Sequence, residues 1–163
     1  MAYRTSEFRI ERDQALREHI LDCALYQVAD GGFSALTMTS LASSAGVATG
    51  SLYRHFPGKA ALACEVFARA TRVEIDSLKT AFFGQGNAAQ RLSRGLTQFA
   101  ARAWQSRQLA YALIAEPVES EVDAQRLRYR EAYAELFIRL IRQGNEDGSF
   151  SVSNIPVTAA CMV

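Results

Sequence analysis

The stretch MTSLASSAGVATGSLYRHF, residues 38–56, decides the fold of this chain. Its apolar residues predict the inner faces of two short helices that are joined by a turn at Gly46. Glycine permits the backbone of a sharp turn because it carries no side chain. Ala42 is small at a point where the two helices must cross closely. The expected inner face consists of Leu41, Ala42, Ala45, Val47, Leu52 and Phe56.

The outward-facing residues of the second predicted helix are short hydroxyls and longer hydrogen-bond donors, which suit DNA base edges and phosphates. They are Thr49, Gly50, Ser51, Tyr53, Arg54 and His55. This pattern is typical of a helix-turn-helix, whose second helix lies in the major groove. Spacing alone leaves open an ordinary helical hairpin with a solvated polar face, because such patterns recur by chance.

The segments around this motif predict an all-α protein. Ala, Leu, Arg and Glu dominate them, and alternating runs of β-branched residues are missing. Thr37 is the expected N-cap of the helix over 38–45, and Gly31-Gly32 ends the helix before it. The remaining helices are expected over 11–30, 49–55, 59–83, 88–106, 109–115 and 121–143, with another that starts near Asn154. The chain stops at Val163 inside an apolar run, so we expect incomplete C-terminal helices.

Length and composition fit one globular domain, or one domain with a small annex. The chain has 163 residues, a net charge of +1, 49% hydrophobic residues and 21% charged residues. This composition excludes bulk disorder and a disulfide scaffold. The sequence shows no signal peptide and no apolar run of the ~18–20 residues that span a bilayer, so we expect a soluble cytoplasmic protein.

Neither a metal site nor an enzyme is predicted. Cys23, Cys64 and Cys161 are widely spaced and are expected to be buried thiols, and with His19 and His55 they offer no four-ligand zinc spacing. No GxSxG, HExxH or phosphate-loop motif is present, and we expect no cofactor. A helical module that binds a small molecule without recognising DNA is the alternative to a DNA-binding protein.

Here the chain resembles the TetR/AcrR family of one-component transcriptional regulators. The resemblance runs from Ile20 to Phe67 and is strongest in GVATGSLYRHFPGKAAL, residues 46–62. The stretch LAYALIAEPVESEVDAQRLRYREAY, residues 109–133, is also similar to one branch of the family's effector domains. The family pattern also includes Gly32-Phe33, Thr37, Leu41-Ala42, Lys59, Leu62 and Phe67.

The resemblance implies a DNA-binding domain over residues 1–57 and an effector-binding and dimerisation domain over residues 58–163. Thr37 and Thr39 would touch phosphate or a base edge, and Tyr53 and His55 would hold the sugar-phosphate backbone. Lys59 would reach a phosphate. The implied DNA-binding residues are Thr37, Thr39, Thr49, Gly50, Ser51, Tyr53, Arg54, His55 and Lys59.

The resemblance also implies a cavity between the long helices for a small, largely apolar effector. The expected wall consists of Phe67, Phe99, Trp104, Tyr111, Tyr133 and Phe137, and any one of these aromatic residues is otherwise plain core. The possible polar anchors are Gln98, Arg102 and Glu116. A repressor of this kind binds palindromic operator DNA as a homodimer through its C-terminal helices and is released by its effector.

Charge is balanced in the first sixty residues, where six basic residues meet six acidic ones. Between residues 38 and 60, however, every charged side chain is positive, so we expect a local positive field at the bihelical motif. Arg4 and Arg9 either form a minor-groove arm or belong to a frayed N-terminus.

Overall fold

The structure is a computed structural model that describes the backbone of residues 2–163 and the side chains of residues 8–163; the side chain of Arg4 lies outside the described residues. The part described contains helices and no strand, which confirms the all-α prediction. The helices are α1 (Ala2–Ala35), α2 (Met38–Ser44), α3 (Thr49–His55), α4 (Lys59–Phe82), α5 (Ala88–Gln105), α6 (Arg107–Ile114), α7 (Ser120–Glu146) and α8 (Ile155–Cys161).

The first and seventh helices differ most from their predicted limits. The first begins at Ala2 rather than at residue 11, which places Arg9 in a helix. It departs from helical geometry only at Gly32. The seventh was expected to end at residue 143 but continues through Gly144 to Glu146. A Cβ on Gly144 would lie 2.0 Å from the Phe150 ring, so this glycine gives room for an aromatic side chain rather than a helix stop.

Local hydrogen bonds explain why several helices start where the sequence predicts. The Thr37 hydroxyl accepts a bond of 3.1 Å from the Ser40 backbone N–H, as expected of an N-cap. Asn87 and Gln90 form a reciprocal capping box at the start of α5, and Asn154 caps α8. In each of these caps the two bonded residues lie within four positions of each other in the sequence.

The first core joins α1, α2 and α3 to the beginning of α4. Leu41, Leu52 and Phe56 are fully buried in it, and Val47 is half-buried at its edge. The core continues into α4 through Leu62, Ala63, Val66 and Phe67, and it includes Ala112 of α6 and Val122 of α7. The domain boundary between residues 57 and 58 therefore stays a prediction, because hydrophobic packing runs across it.

The second core lies among α4, α5 and α7, with α8 packed on α7. Phe82 and Phe137 meet edge to face at 5.1 Å between ring centroids. The Asp147 carboxylate joins the end of α7 to the start of α5. It accepts hydrogen bonds from the backbone N–H groups of Ala88 and Ser149. The pKa of Asp147 is lowered first by a hydrogen bond from the Ser149 side chain and then by the backbone bonds from Ala88 and Ser149. None of the described helices has the length and hydropathy needed to cross a bilayer.

The cysteines are less buried than the sequence predicts. Cys161 is exposed on α8, and Cys23 and Cys64 are half-buried. The apolar neighbours of Cys161 in the sequence misled the prediction, because only one face of this short helix packs against α7. Burial, together with Glu121 and Glu119, raises the pKa of the Cys64 thiol.

Candidate nucleic-acid interface and effector cavity

The third helix presents a polar face to solvent while its apolar side is anchored in the first core. Leu52 and Phe56 hold the helix from within. Thr49, Gly50 and Arg54 are exposed, and the Tyr53 side chain is 52% exposed. A two-helix unit with a fixed inner side and a free polar side has the shape required to enter a DNA groove.

The hydroxyl residues of this unit differ in what they contact. Ser51 is half-buried, and its Oγ accepts a 3.3 Å bond from Arg54 Nη2. Thr39 is exposed at the start of α2. Thr37 is also exposed but its hydroxyl already caps that helix. Thr39, Thr49 and Arg54 are therefore the polar side chains that reach solvent most freely here.

The structure does not place His55 on the exposed face. Its side chain is only 4% exposed, and Nε2 lies 3.7 Å from Asp13 Oδ1 on α1 without a hydrogen-bond partner. The imidazole is buried beside α1 rather than on the exposed face of α3. The expected contact between His55 and the sugar-phosphate backbone is thus not supported by its position.

Lys59 lies beside a carboxylate, while its side chain stays 37% exposed. Its Nζ lies 3.5 Å from Glu119 Oε1, immediately before α7. The positive stretch predicted from residues 38–60 is thus partly neutralised by acids that are distant in sequence. Asp13 approaches from α1 and Glu119 from the α6–α7 loop. The local positive field is weaker than the linear sequence indicates, because folding brings these acids beside it.

A buried carboxylate fastens the α6–α7 loop to α1. Gly32 interrupts the helical backbone of α1 with φ +76° and ψ −179°. The Glu116 side chain accepts hydrogen bonds from the freed N–H groups of Phe33 at 2.8 Å and Ser34 at 2.9 Å. Glu116 does not line the cavity, so its expected role as a polar anchor for a ligand is wrong. It satisfies backbone donors that the α1 break leaves unpaired.

Arg126 holds the loop that carries Glu116. Its guanidinium donates to the backbone carbonyls of Ala112 and Glu116, both at 2.7 Å, and of Leu113 at 3.1 Å. It also pairs with Asp123 at 2.9 Å. Since Arg126 also lines a cavity among α4, α5, α6 and α7, one side chain connects that cavity to the loop that contacts α1.

The cavity lies among α4, α5, α6 and α7 and has a volume of about 290 Å³. It brings together four of the six predicted wall residues: Phe67, Phe99, Tyr133 and Phe137. Sequence analysis missed the aliphatic and polar part of its lining. The missed residues include Thr71, Glu74, Leu78, Leu96, Leu109, Leu113, Ile114 and Tyr129.

Trp104 and Tyr111, the other two predicted wall residues, lie outside the cavity. Trp104 is 72% exposed, with the Arg107 guanidinium 4.9 Å from its ring centroid, and Tyr111 is also exposed. Their neighbours Ala103 and Ala110 line the cavity instead. Successive residues of an α-helix point about 100° apart, so adjacent residues face different sides. The aromatic composition of α5 and α6 does not reveal which side faces inward.

Polar groups in the cavity wall are few and mostly occupied. Arg102, a predicted anchor, does line the cavity, but its guanidinium makes three hydrogen bonds of 2.8–3.1 Å to Glu74. This contact raises the pKa of Arg102. Gln98, the third predicted anchor, is exposed on α5 and does not line this cavity.

Burial, and then the proximity of Glu74, raises the pKa of Tyr133, so its hydroxyl keeps its proton at neutral pH. Thr71 Oγ1 is buried without a hydrogen-bond partner.

Comparisons with known proteins agree with this arrangement. The family model described as bacterial regulatory proteins, tetR family, matches residues 20–66. A relative from Mycolicibacterium smegmatis, the HTH-type transcriptional repressor KstR, is 36% identical over 89 residues, which cover 54% of this chain and 43% of that protein. The chain thus spans less than half the length of the curated relative it matches.

Solved structures share the fold at low sequence identity. A TetR-family transcriptional regulator from Agrobacterium tumefaciens superimposes with a TM-score of 0.75 at 15% identity, over 91% of this chain and 82% of that chain. The regulator FadR from Bacillus subtilis, solved in complex with stearoyl-CoA, gives 0.75 at 17% identity, over 89% and 80%. The chain is therefore similar to TetR/AcrR-family transcriptional regulators: residues 20–66 match the family model, part of the chain is related to a repressor, and the fold is that of solved structures of such regulators.

Proposed function

We propose that this protein is a transcriptional repressor that binds operator DNA and is released by a small, largely apolar effector. The observation that carries the proposal is the free polar face of α3 on a helix whose Leu52 and Phe56 are locked in the core. Regulators of this family are DNA-binding proteins rather than enzymes. The related protein from Mycolicibacterium smegmatis is itself named a transcriptional repressor.

In this proposal residues 1–57 bind DNA, and residues 58–163 bind the effector and dimerise. Thr49, Gly50 and Ser51 open the recognition helix in the major groove, and Thr39, Tyr53 and Arg54 contact base edges or phosphates. Thr37 positions the first helix of the pair through its cap. Lys59 reaches a phosphate only after it parts from Glu119, while buried His55 supports the end of α3.

The proposed operator is palindromic because two copies of the chain bind it together. Two recognition helices must meet successive major grooves about 34 Å apart, which is one turn of DNA. We place the dimer contact at the C-terminal helices, where Val157 of α8 is exposed. The protein would work in the cytoplasm, with neither a membrane nor a cofactor as a partner.

Effector control requires that the ligand bind the DNA-binding conformation and the released conformation with different affinities. The difference typically corresponds to a coupling free energy of ~1–3 kcal/mol. The cavity reaches the DNA-binding helices by two routes. Helix α4 contributes Phe67 to both the first core and the cavity wall. Arg126 holds the loop through which Glu116 contacts α1. A ligand that moves either element changes the separation of the two recognition helices.

Selection from random duplex DNA tests the proposal directly. At moderate salt this chain is expected to enrich an inverted repeat whose half-sites lie about 10 base pairs apart, centre to centre. A chain that enriches no sequence should be tested again together with any segments that flank it in its gene. If that longer protein also selects no sequence, the regulator function is excluded and a DNA-independent small-molecule-binding module replaces it.

Arg54→Gln is expected to weaken binding to the selected operator about tenfold or more. The substitution removes an exposed positive charge from the recognition helix of each subunit. It should also flatten the salt dependence, since each lost phosphate contact changes the log–log slope by about 0.9. Titration of labelled operator at several salt concentrations measures both effects. Arg142→Gln, which removes another exposed arginine on α7, is the matched control; equal losses in the two variants would contradict the assignment.

A further inference from the structure

A glutamine of α1 is bonded to two hydroxyls of α2. The amide nitrogen of Gln27 donates hydrogen bonds to Ser40 Oγ at 3.2 Å and to Ser44 Oγ at 2.9 Å. A side-chain amide carries two N–H groups, which is one for each of these acceptors. Ser40 and Ser44 are four residues apart, so they lie on one face of α2, in its first and last turns. Gln27 therefore bridges α1 to the first helix of the bihelical unit.

The other polar atom of the same amide is unpaired. Gln27 Oε1 is buried and has no hydrogen-bond partner in the described part of the chain. A buried acceptor without a partner costs free energy, whereas an apolar side chain of similar size would fill the site without that cost. Packing alone does not favour glutamine at this position. Its two hydrogen bonds to α2 therefore point to a role other than stability.

Hydrogen bonds fix the orientation of α2 in a way that its apolar contacts do not. Leu41 and Ala42 bury the inner side of α2 in the first core. Apolar contact is non-directional, whereas a hydrogen bond weakens steeply when its angle changes. Two hydrogen bonds placed one turn apart thus determine how α2 is rotated about its own axis. Thr39, which is exposed beside Ser40, turns with the helix.

We propose that Gln27 is a positioning residue for DNA recognition, because through two serines it sets the angle at which α2 and α3 meet the DNA. Helix α3 packs on α2, and Leu41 and Leu52 are fully buried in the core that they share. The orientation of α2 is therefore passed to the recognition helix, and Gln27 itself needs no contact with DNA. The inference rests on the proposed function and adds to it a residue outside the helix-turn-helix.

Gln27→Leu separates the orientation of α2 from the stability of the protein. The variant removes both hydrogen bonds and replaces the unpaired amide oxygen with an apolar group. The urea midpoint of the full chain should stay the same or rise, since the serine hydroxyls of α2 are exposed and bond water instead. Residual dipolar couplings, measured by NMR without DNA, report the direction of each backbone N–H bond. They should change for residues 38–44 and stay the same for α4.

DNA binding by the same variant tests whether this orientation matters for recognition. Gln27→Leu should bind the operator obtained by selection about fivefold more weakly, the equivalent of one net hydrogen bond. Binding to a duplex of unrelated sequence at low salt should not change, because it depends on charges that the variant keeps. The ratio of the two affinities then falls in a variant that has lost no stability. A residue with a purely structural role would not produce that combination.

Ser44→Ala removes one of the two acceptors and should reproduce part of the loss of operator affinity. The double variant Gln27→Leu/Ser44→Ala should bind no more weakly than Gln27→Leu, since the bond between the two residues is already absent. Ser43→Ala is the matched control, because it removes an exposed hydroxyl of the same helix outside the pair that Gln27 bonds. It should leave the α2 couplings and both affinities unchanged.

Unchanged α2 couplings in Gln27→Leu would overturn the inference, and so would an unchanged ratio of operator affinity to unrelated-DNA affinity. Additive losses in the double variant would show that the serine acts independently of Gln27, with the same consequence. Failure of the original chain to select any operator is a different result. It removes the regulator function, and the role of Gln27 in DNA recognition with it, while the couplings still report whether the glutamine orients α2.

Discussion

Glu116→Ala is expected to lower the free energy of unfolding by about 3 kcal/mol, because two hydrogen bonds to a charged group are lost and each is worth about 1.5–3 kcal/mol. The Phe33 N–H group is buried at the α1 break and would be left without an acceptor. The lost hydrogen bonds connect α1 to the α6–α7 loop, so their removal should lower the stability of the whole folded unit. Urea denaturation at neutral pH, followed by circular dichroism, measures it.

Glu116→Gln separates the hydrogen bonds from the packing of this side chain. The amide keeps one acceptor oxygen but turns an N–H group toward the donors of Phe33 or Ser34. We therefore expect a stability between those of the original protein and of Glu116→Ala. A Glu116→Ala variant within about 0.5 kcal/mol of the original, the range of ordinary surface substitutions, would show that the contact has no structural role.

Gly32→Ala is the second substitution with a large expected effect, again roughly 3 kcal/mol of destabilisation. The backbone at Gly32 has φ +76° and ψ −179°, a conformation that only glycine adopts without strain. A Cβ there would also lie 2.5 Å from Glu116 Oε2. The new methyl group would displace the carboxylate that pairs the Phe33 and Ser34 donors. Thermal and urea unfolding measure the loss.

Gly58→Ala is the matched control for this prediction. Gly58 has an extended backbone, with φ 175°, and nothing lies within 4 Å of a Cβ built on it. Its replacement should cost no more than about 1 kcal/mol, because the less favourable alanine N-cap of α4 is offset in part by the freedom that the unfolded chain loses. The double variant Gly32→Ala/Glu116→Ala should lose less than the sum of the two single losses, since the steric conflict needs both groups. Additive losses would contradict the proposed contact.

The helix-turn-helix could be predicted from sequence because its determinants are local. Thr37 caps α2, Gly46 adopts φ +66° in the turn, and α3 covers the predicted residues 49–55. Each of these signals acts through the backbone of its immediate neighbours, so a linear reading recovers it. The apolar inner face could also be predicted from local sequence, because helical periodicity alone assigns Leu52 and Phe56 to one side of α3.

The side chains that connect distant elements could not be predicted in this way. Glu116 occurs in an unremarkable loop, yet its partners lie more than eighty residues away at the α1 break. His55 belongs to the outward-facing set by sequence pattern, but α1 covers it. Trp104 has the composition of a cavity residue and faces solvent. No pattern within a few residues carries information about which neighbouring helix will cover a given side.

The sequence by itself determined the all-α class, the bihelical unit at residues 38–56 and its caps. These depend on backbone propensities and on a periodicity that repeats every few residues. Only the tertiary structure decided that Glu119 faces Lys59, that the Thr71 hydroxyl is buried without a partner and that Glu116 accepts the N–H groups freed at the Gly32 break. Those features depend on how helices pack across the chain, which is set by the fit of whole surfaces rather than by neighbouring residues.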